Sequence, residues 1–196
     1  MTSLNVSGCT ALKELNCRQN DLTSLDVSTN TVLETLQCEN NSLSSLDVTS
    51  NIPLKELWCL QNSLQTLDLR NNRYLEILRC NDNLLTSVNL QYLNDQIHLT
   101  EIYIHNNSLN SLSLTKLTAL EKLYCDNNQL STLNVVNNTS LTELAAWASG
   151  QTGSIHSLTI ATGMHITYLG EDHSTVIDPT GDPWRTTIMS PASTGN

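Results

Sequence analysis

The sequence predicts an α/β-type solenoid in the repeat sense, here mostly β. Short parallel strands stack along one face, extended or 3₁₀ segments return along the other, and a β-type cap closes the C-terminal side. Three observations predict it. Leu supplies 34 of the 196 residues and Asn 23, a bias that marks a repeated pattern. The pattern recurs every 21 residues. Outside the strand half, roughly 12 residues remain per unit, too few and too rich in Asn, Asp, Ser and Thr for an ordinary helix.

The first full unit reads Leu12-x-x-Leu15-x-Cys17-x-x-Asn20-x-Leu22-x-x-Leu25-Asp26-Val27-Ser28-x-Asn30. The second places Leu33, Leu36, Cys38, Asn41, Leu43, Leu46, Asp47, Val48 and Asn51 in the same slots. The third runs from Leu54 through Cys59 and Asn62 to Asn72, and the fourth begins Leu75, Leu78, Cys80, Asn83, Leu85. The fifth starts at Leu99, where Ile104 replaces the Cys, and the sixth starts at Leu120 and recovers Cys125. A seventh starts at Leu141 and loses the pattern after Leu144. From Leu75 to Leu99 is 24 residues, so a three-residue insertion falls within Gln91–His98.

The periods explain the solenoid. Leu and Cys at a spacing of two share one face of a strand. A three-residue strand buries nothing alone, but stacked in parallel at about 4.8 Å per unit it buries a continuous ladder. The half Leu-x-x-Leu-Asp-Val supplies the opposing apolar row. Asn20, Asn41, Asn62, Asn83, Asn107 and Asn128 end the strands, where a buried Asn side chain can bond the neighbouring backbone and close the corner.

This consensus resembles the bacterial 21-residue leucine-rich repeats, in particular the internalin J-like repeats with their ladder of cysteines. The resemblance covers Met1 to about Leu144, with six units agreeing at six or more positions each, and does not reach the last 50 residues or so. It implies a curved, right-handed leucine-rich-repeat superhelix with its strands on the concave face. It also implies a bacterial extracellular or cell-surface setting and an adhesion-type binding role. It carries no catalytic motif. Asn89 and Ser113 depart from the Asp position, so uniform curvature is not expected there.

Met1–Ser7 aligns with Leu22–Ser28, so the sequence opens inside a repeat, with Met1 in a Leu slot. Solenoid ends are normally capped because an open end exposes apolar surface. Two readings stay open: a piece of a longer protein with more repeats and a signal peptide upstream, or a natural start covered by a partner. Either leads to an expectation of fraying or end-to-end self-association. Beyond Trp147 the composition shifts, and six of the seven Gly and three of the four Pro lie in 150–196. The expected organisation is a solenoid over 1–149 (about seven 21-residue repeats, the first partial), a β cap over 150–189 and a loose tail over 190–196. Within the cap, Ile155-x-x-Leu158-x-Ile160 imitates the second half of a repeat, and His165–Leu169 with Thr175–Ile177 reads as a hairpin.

A formal net charge of −10, with only 9 Lys and Arg, argues against a nucleic-acid partner and against docking on an anionic membrane. No run of about 18 apolar residues is present, so no membrane insertion is expected. Met1–Thr10 has neither the basic nor the apolar region of a signal peptide.

Cysteines spaced by 21 with no His partner suit neither zinc nor disulfides, because a parallel ladder aims every thiol the same way. They read as small hydrophobes in the core, with Cys9 partly exposed in a corner slot. Asp26, Asp47 and Asp68 also stack and invite a Ca²⁺ reading, but Asn and Ser in the equivalent slots suit turn hydrogen bonds better. The five His share no spacing, and no ordered nucleophile motif appears. Tyr103, His105 and Asp126 can approach one another across two strands without forming a recognisable catalytic set. No catalytic residue, metal ligand or cofactor is expected.

The informative constellation is the strand face turned away from the core. Between the second Leu and the Cys stand, in order, Asn16, Gln37, Trp58, Arg79, Tyr103, Tyr124 and Ala145. Two residues on stand Arg18, Glu39, Leu60, Asn81, His105, Asp126 and Trp147. Three of the eight aromatics fall in the first column, interleaved with Arg, and these residue types dominate interface energetics. Strands also favour exposed aromatics for their own reasons. The candidate ligand-binding set is Trp58, Leu60, Arg79, Tyr103, His105, Tyr124, Asp126 and Trp147. The expected function is non-enzymatic recognition of a protein or, second, a glycan. A structural spacer is the rival, and an enzyme with a site in the C-terminal segment the weakest alternative.

Overall fold

The computed structural model describes residues 1–90, 98–146, 157–161, 166–169, 174–177 and 186–188. Three-residue strands recur once per unit: Glu14–Asn16, Thr35–Gln37, Glu56–Trp58, Ile77–Arg79, Glu101–Tyr103, Lys122–Tyr124 and Glu143–Ala145. They pair in parallel, in chain order, with a register of one whole unit. Leu15 thus faces Leu36, followed by Leu57, Leu78, Ile102, Leu123 and Leu144. The 24-residue step keeps this register, because Arg79 still pairs with Tyr103. The inserted stretch at 91–97 lies outside the described residues.

The return side is extended and turned rather than 3₁₀, and no helix of either kind occurs among the described residues. Each corner is made by two successive tight turns. Asn30 N–H donates to the Val27 carbonyl (3.0 Å) and Leu33 N–H to the Asn30 carbonyl (3.0 Å), and later units repeat this. Two short parallel pairs form on this side, Thr66–Asp68 with Ser87–Asn89 and Thr132–Asn134 with Ser157–Thr159. Beyond Glu143–Ala145 the main sheet continues with Ile166–Leu169 in parallel, then Ser174–Ile177 and Thr186–Ile188 antiparallel. The boundaries expected at 149/150 and 189/190, and the 190–196 tail, lie outside the described residues.

The core is a set of continuous rows. Leu36, Leu57, Leu78, Ile102, Leu123 and Leu144 are fully buried, and beside them run Cys17, Cys38, Cys59, Cys80, Ile104 and Cys125, all buried. Ile104 fits the thiol row because the slot asks only for an apolar side chain. Burial pushes each of the five thiols up in pKa, away from the reactive thiolate. Cys9 is exposed and every cysteine is free.

Two asparagine rows hold the corners. Asn62 donates to the Cys38, Cys59 and Leu60 carbonyls and accepts from Leu43 N–H, tying three segments together. Asn41, Asn83, Asn107 and Asn128 repeat the arrangement. The residue before each corner Asn is left-handed, with φ of 51–56° at Gln19, Asn40, Gln61, Asp82, Asn106 and Asn127. Asn and Asp tolerate that conformation best among non-glycine residues. The second row, Asn30, Asn51, Asn72 and Asn138, is fully buried. Each donates to two carbonyls, yet its Oδ1 finds no donor.

The stacked carboxylates are turn elements. Asp26, Asp47 and Asp68 each accept from the backbone N–H two residues on, and Asn5 and Asn134 do the same. This is why Asn substitutes freely there.

Candidate functional site: the concave strand face

Alternation along each strand turns the first and third residues to the concave side. The third residues form the column anticipated above, now paired by register from Asn16 to Ala145. Side by side in four consecutive units, Trp58, Arg79, Tyr103 and Tyr124 make one continuous stack. The Arg79 guanidinium lies 4.5 Å from the Trp58 ring and 4.7 Å from the Tyr103 ring. Tyr103 and Tyr124 stack at 4.7 Å with a 10° tilt. All four are half-buried rather than fully exposed, because each covers its neighbour.

A second concave column was not singled out from sequence. The first residues of the strands are Glu14, Thr35, Glu56, Ile77, Glu101, Lys122 and Glu143. Glu101 accepts from the Tyr103 hydroxyl (3.2 Å), pairs with Lys122 (3.1 Å) and lies 3.9 Å from Arg79. Glu143 accepts from the Tyr124 hydroxyl at 2.6 Å. Burial, and after it these carboxylates, raise both phenol pKa values, so the hydroxyls stay protonated donors. The signal was present in the sequence: on a strand, residue i−2 shares the face of residue i.

The third column, two residues beyond the stack, gives Glu39, Asn81 and Asp126 as buried polar groups, with Leu60 and His105 half-buried. Arg18 stands 4.0 Å from Glu39. Burial pushes the Asp126 carboxyl up, and the charge of His105 pulls it part of the way back. The Tyr103 hydroxyl donates to Glu101 rather than to His105 or Asp126. Trp147 lies outside the described residues. Among the described residues, four buried concave polar atoms lack a hydrogen-bond partner: Glu39 Oε2, Trp58 Nε1, Arg79 Nε and His105 Nδ1.

Repeated strand, corner asparagine and helix-free return segment define a leucine-rich-repeat solenoid. No family model matches the sequence, and no curated protein matches it. Among solved structures the chain is similar to a leucine-rich-repeat protein of Leptospira interrogans, at 24% identity with a TM-score of 0.66, covering 81% of this chain and 41% of that one. It is similar to an internalin, inlF, of Listeria monocytogenes at 18% identity with a TM-score of 0.65, covering 80% and 50%. It also matches the functional domain of InlJ from Listeria monocytogenes, described as including a cysteine ladder, at 27% identity with a TM-score of 0.46, covering 86% and 48%. In fold the chain is therefore a leucine-rich-repeat solenoid like the Leptospira and inlF structures, and it spans about half the length of the solved chains it matches. No helix among the described residues is long and apolar enough to cross a membrane.

Proposed function

We propose that the chain is a non-enzymatic binding module, adhesion-type, that recognises a protein through its concave face. The site comprises Trp58, Leu60, Arg79, Tyr103, His105, Tyr124, Asp126 and Trp147, in a cell-surface or extracellular setting of the kind the repeat resemblance implies. The observation that carries the reading is the Trp58–Arg79–Tyr103–Tyr124 stack. A stack whose hydroxyls are held by carboxylates and whose guanidinium lies between two rings is ordered before any partner arrives, which lowers the entropic cost of binding. The leucine and thiol rows on the core side stay apolar from unit to unit, whereas this row runs from amides through an indole, a guanidinium and phenols to a methyl group, and a spacer needs no such variation.

The test is alanine substitution once a partner has been isolated by binding to the purified chain. Tyr103→Ala or Trp58→Ala is expected to weaken it by about 2 kcal/mol or more, the size of a hot spot. Gln37→Ala, in the same column one unit before Trp58, is the matched control and should change little. Equal losses at Gln37 and Tyr103, or none at the stack, would mean the aromatics only decorate the sheet.

A further inference from the structure

We propose, resting on the concave-face reading, that the bound segment is cationic: an extended peptide stretch of a partner protein whose arginine or lysine side chain reaches the Glu39 carboxylate. Three observations lead there. The first concerns what the stack leaves open. A sugar ring needs a free aromatic face, but Tyr103 has both faces covered, by Arg79 and Tyr124, and Trp58 and Tyr124 each have one covered, by Arg79 and Tyr103. Within the stack a ligand meets ring edges, tyrosine oxygens and the flanking carboxylates.

The second is charge. The three described concave columns hold six carboxylates against three cations, on a chain whose net charge is −10. Such a face attracts a basic segment and repels an acidic one.

The third is Glu39 itself. It is 6% exposed, and its Oε2 has no hydrogen-bond partner. Arg18, at 4.0 Å, stands too far for a hydrogen bond and its own side chain is 53% exposed, so an incoming cation can displace it. A buried carboxylate is costly until a cation and its N–H donors satisfy it. The face already holds one guanidinium in this manner, with Arg79 between two rings and beside Glu101. An external arginine at Glu39 would extend the same chemistry by two units.

The experiment pans a random dodecapeptide library and an array of neutral oligosaccharides against the intact chain. Affinities of the selected probes are then measured for the wild type, Glu39→Gln, Tyr103→Ala and Glu121→Gln. Glu121 is an exposed carboxylate outside the three columns. The expected result is enrichment of Arg- and Lys-rich peptides whose affinity falls tenfold or more in Glu39→Gln and in Tyr103→Ala, but not in Glu121→Gln. Thermal unfolding of Glu39→Gln should be unchanged or higher, since it removes an unsatisfied buried charge. Equal loss in Glu121→Gln marks unspecific attraction and overturns the proposal. Selection of neutral or acidic peptides, or of oligosaccharides, that need Tyr103 but not Glu39 overturns the cationic partner while leaving a concave-face ligand. Absence of binding, or binding indifferent to Tyr103, overturns both.

Discussion

Leu57 and Trp58 are neighbours on one strand and obey different constraints. Leu57 points into the core, and its counterparts from Leu15 to Leu144 are all Leu or Ile. Trp58 points to the concave side, where its row passes through two amides, an indole, a guanidinium, two phenols and a methyl group. The core side must repeat because each unit packs only on its two neighbours, so every unit presents the surface the next one needs. The concave side is free of that demand and still shows contacts between successive units. A face released from periodicity yet tightly organised is where a solenoid can carry recognition.

The largest effects should separate the two sides of that strand. Leu57→Ala opens a cavity in a fully buried row and should destabilise by about 2–5 kcal/mol in urea unfolding. Trp58→Ala, on the half-buried side, loses the Arg79 contact and should cost about 1 kcal/mol. Comparable losses would mean the stack is a second core rather than a surface.

The two asparagine rows sharpen the comparison inside the core. Asn62→Ala strands the Leu43 N–H, a buried orphan that costs about 1–3 kcal/mol, while the Cys38 and Cys59 carbonyls keep the Asn41 and Asn83 side-chain donors. Asn51→Ala leaves the Val27 and Asn30 carbonyls with the Asn30 and Leu33 N–H donors, and it removes an Oδ1 that was itself unsatisfied. Asn51→Ala should therefore be the milder of the two in the same unfolding assay. The reverse order would show that the unpartnered Oδ1 row is stabilised by something beyond these contacts.

Much of this architecture was legible in the sequence because a 21-residue period dictates it. Leu, Cys and corner Asn could be placed to the residue, and so could the column holding Trp58, Arg79, Tyr103 and Tyr124. The mutual stacking was less legible, since the period gives a row and a spacing but not rotamers. Glu101 and Glu143 were missed because an acidic residue on a strand surface reads as solvation until a hydroxyl is seen bonded to it. The choice of extended over 3₁₀ return segments was open for another reason. Both satisfy the same short polar stretch, and the paired turns at Asn30, Asn51 and Asn72 decide it.

Thiol chemistry gives a prediction of intermediate size. Cys9 should react at once with a thiol reagent in native buffer, whereas Cys38, Cys59 and Cys80 should react only as the chain unfolds. Cys59→Ser places a hydroxyl in an apolar row and should cost about 1–3 kcal/mol. Prompt labelling of all six cysteines would remove the ladder from the core.

The smallest expected effect lies on a surface that does follow the repeat. Glu34 sits between Lys13 (2.9 Å) and Lys55 (2.7 Å), and the three residues occupy one slot in consecutive units. The two ammonium groups hold its carboxyl down to about 2, against an ordinary 4.5. A carboxyl whose folded pKa is depressed adds stability above its unfolded pKa and loses it as pH falls through the folded one. The contribution of Glu34 should therefore be intact above about pH 4.5 and decline between there and about pH 2. Because Lys13 and Lys55 are 68% and 48% exposed, water and salt screen the pair strongly. Melting temperatures followed through that window should fall faster for the wild type than for Glu34→Gln, and high salt should close the gap. Parallel curves at low salt would mean that this repeated charge row merely solvates its face. The contrast with Glu101, whose carboxylate orders Tyr103 and Lys122 on the variable side, would then be sharper still.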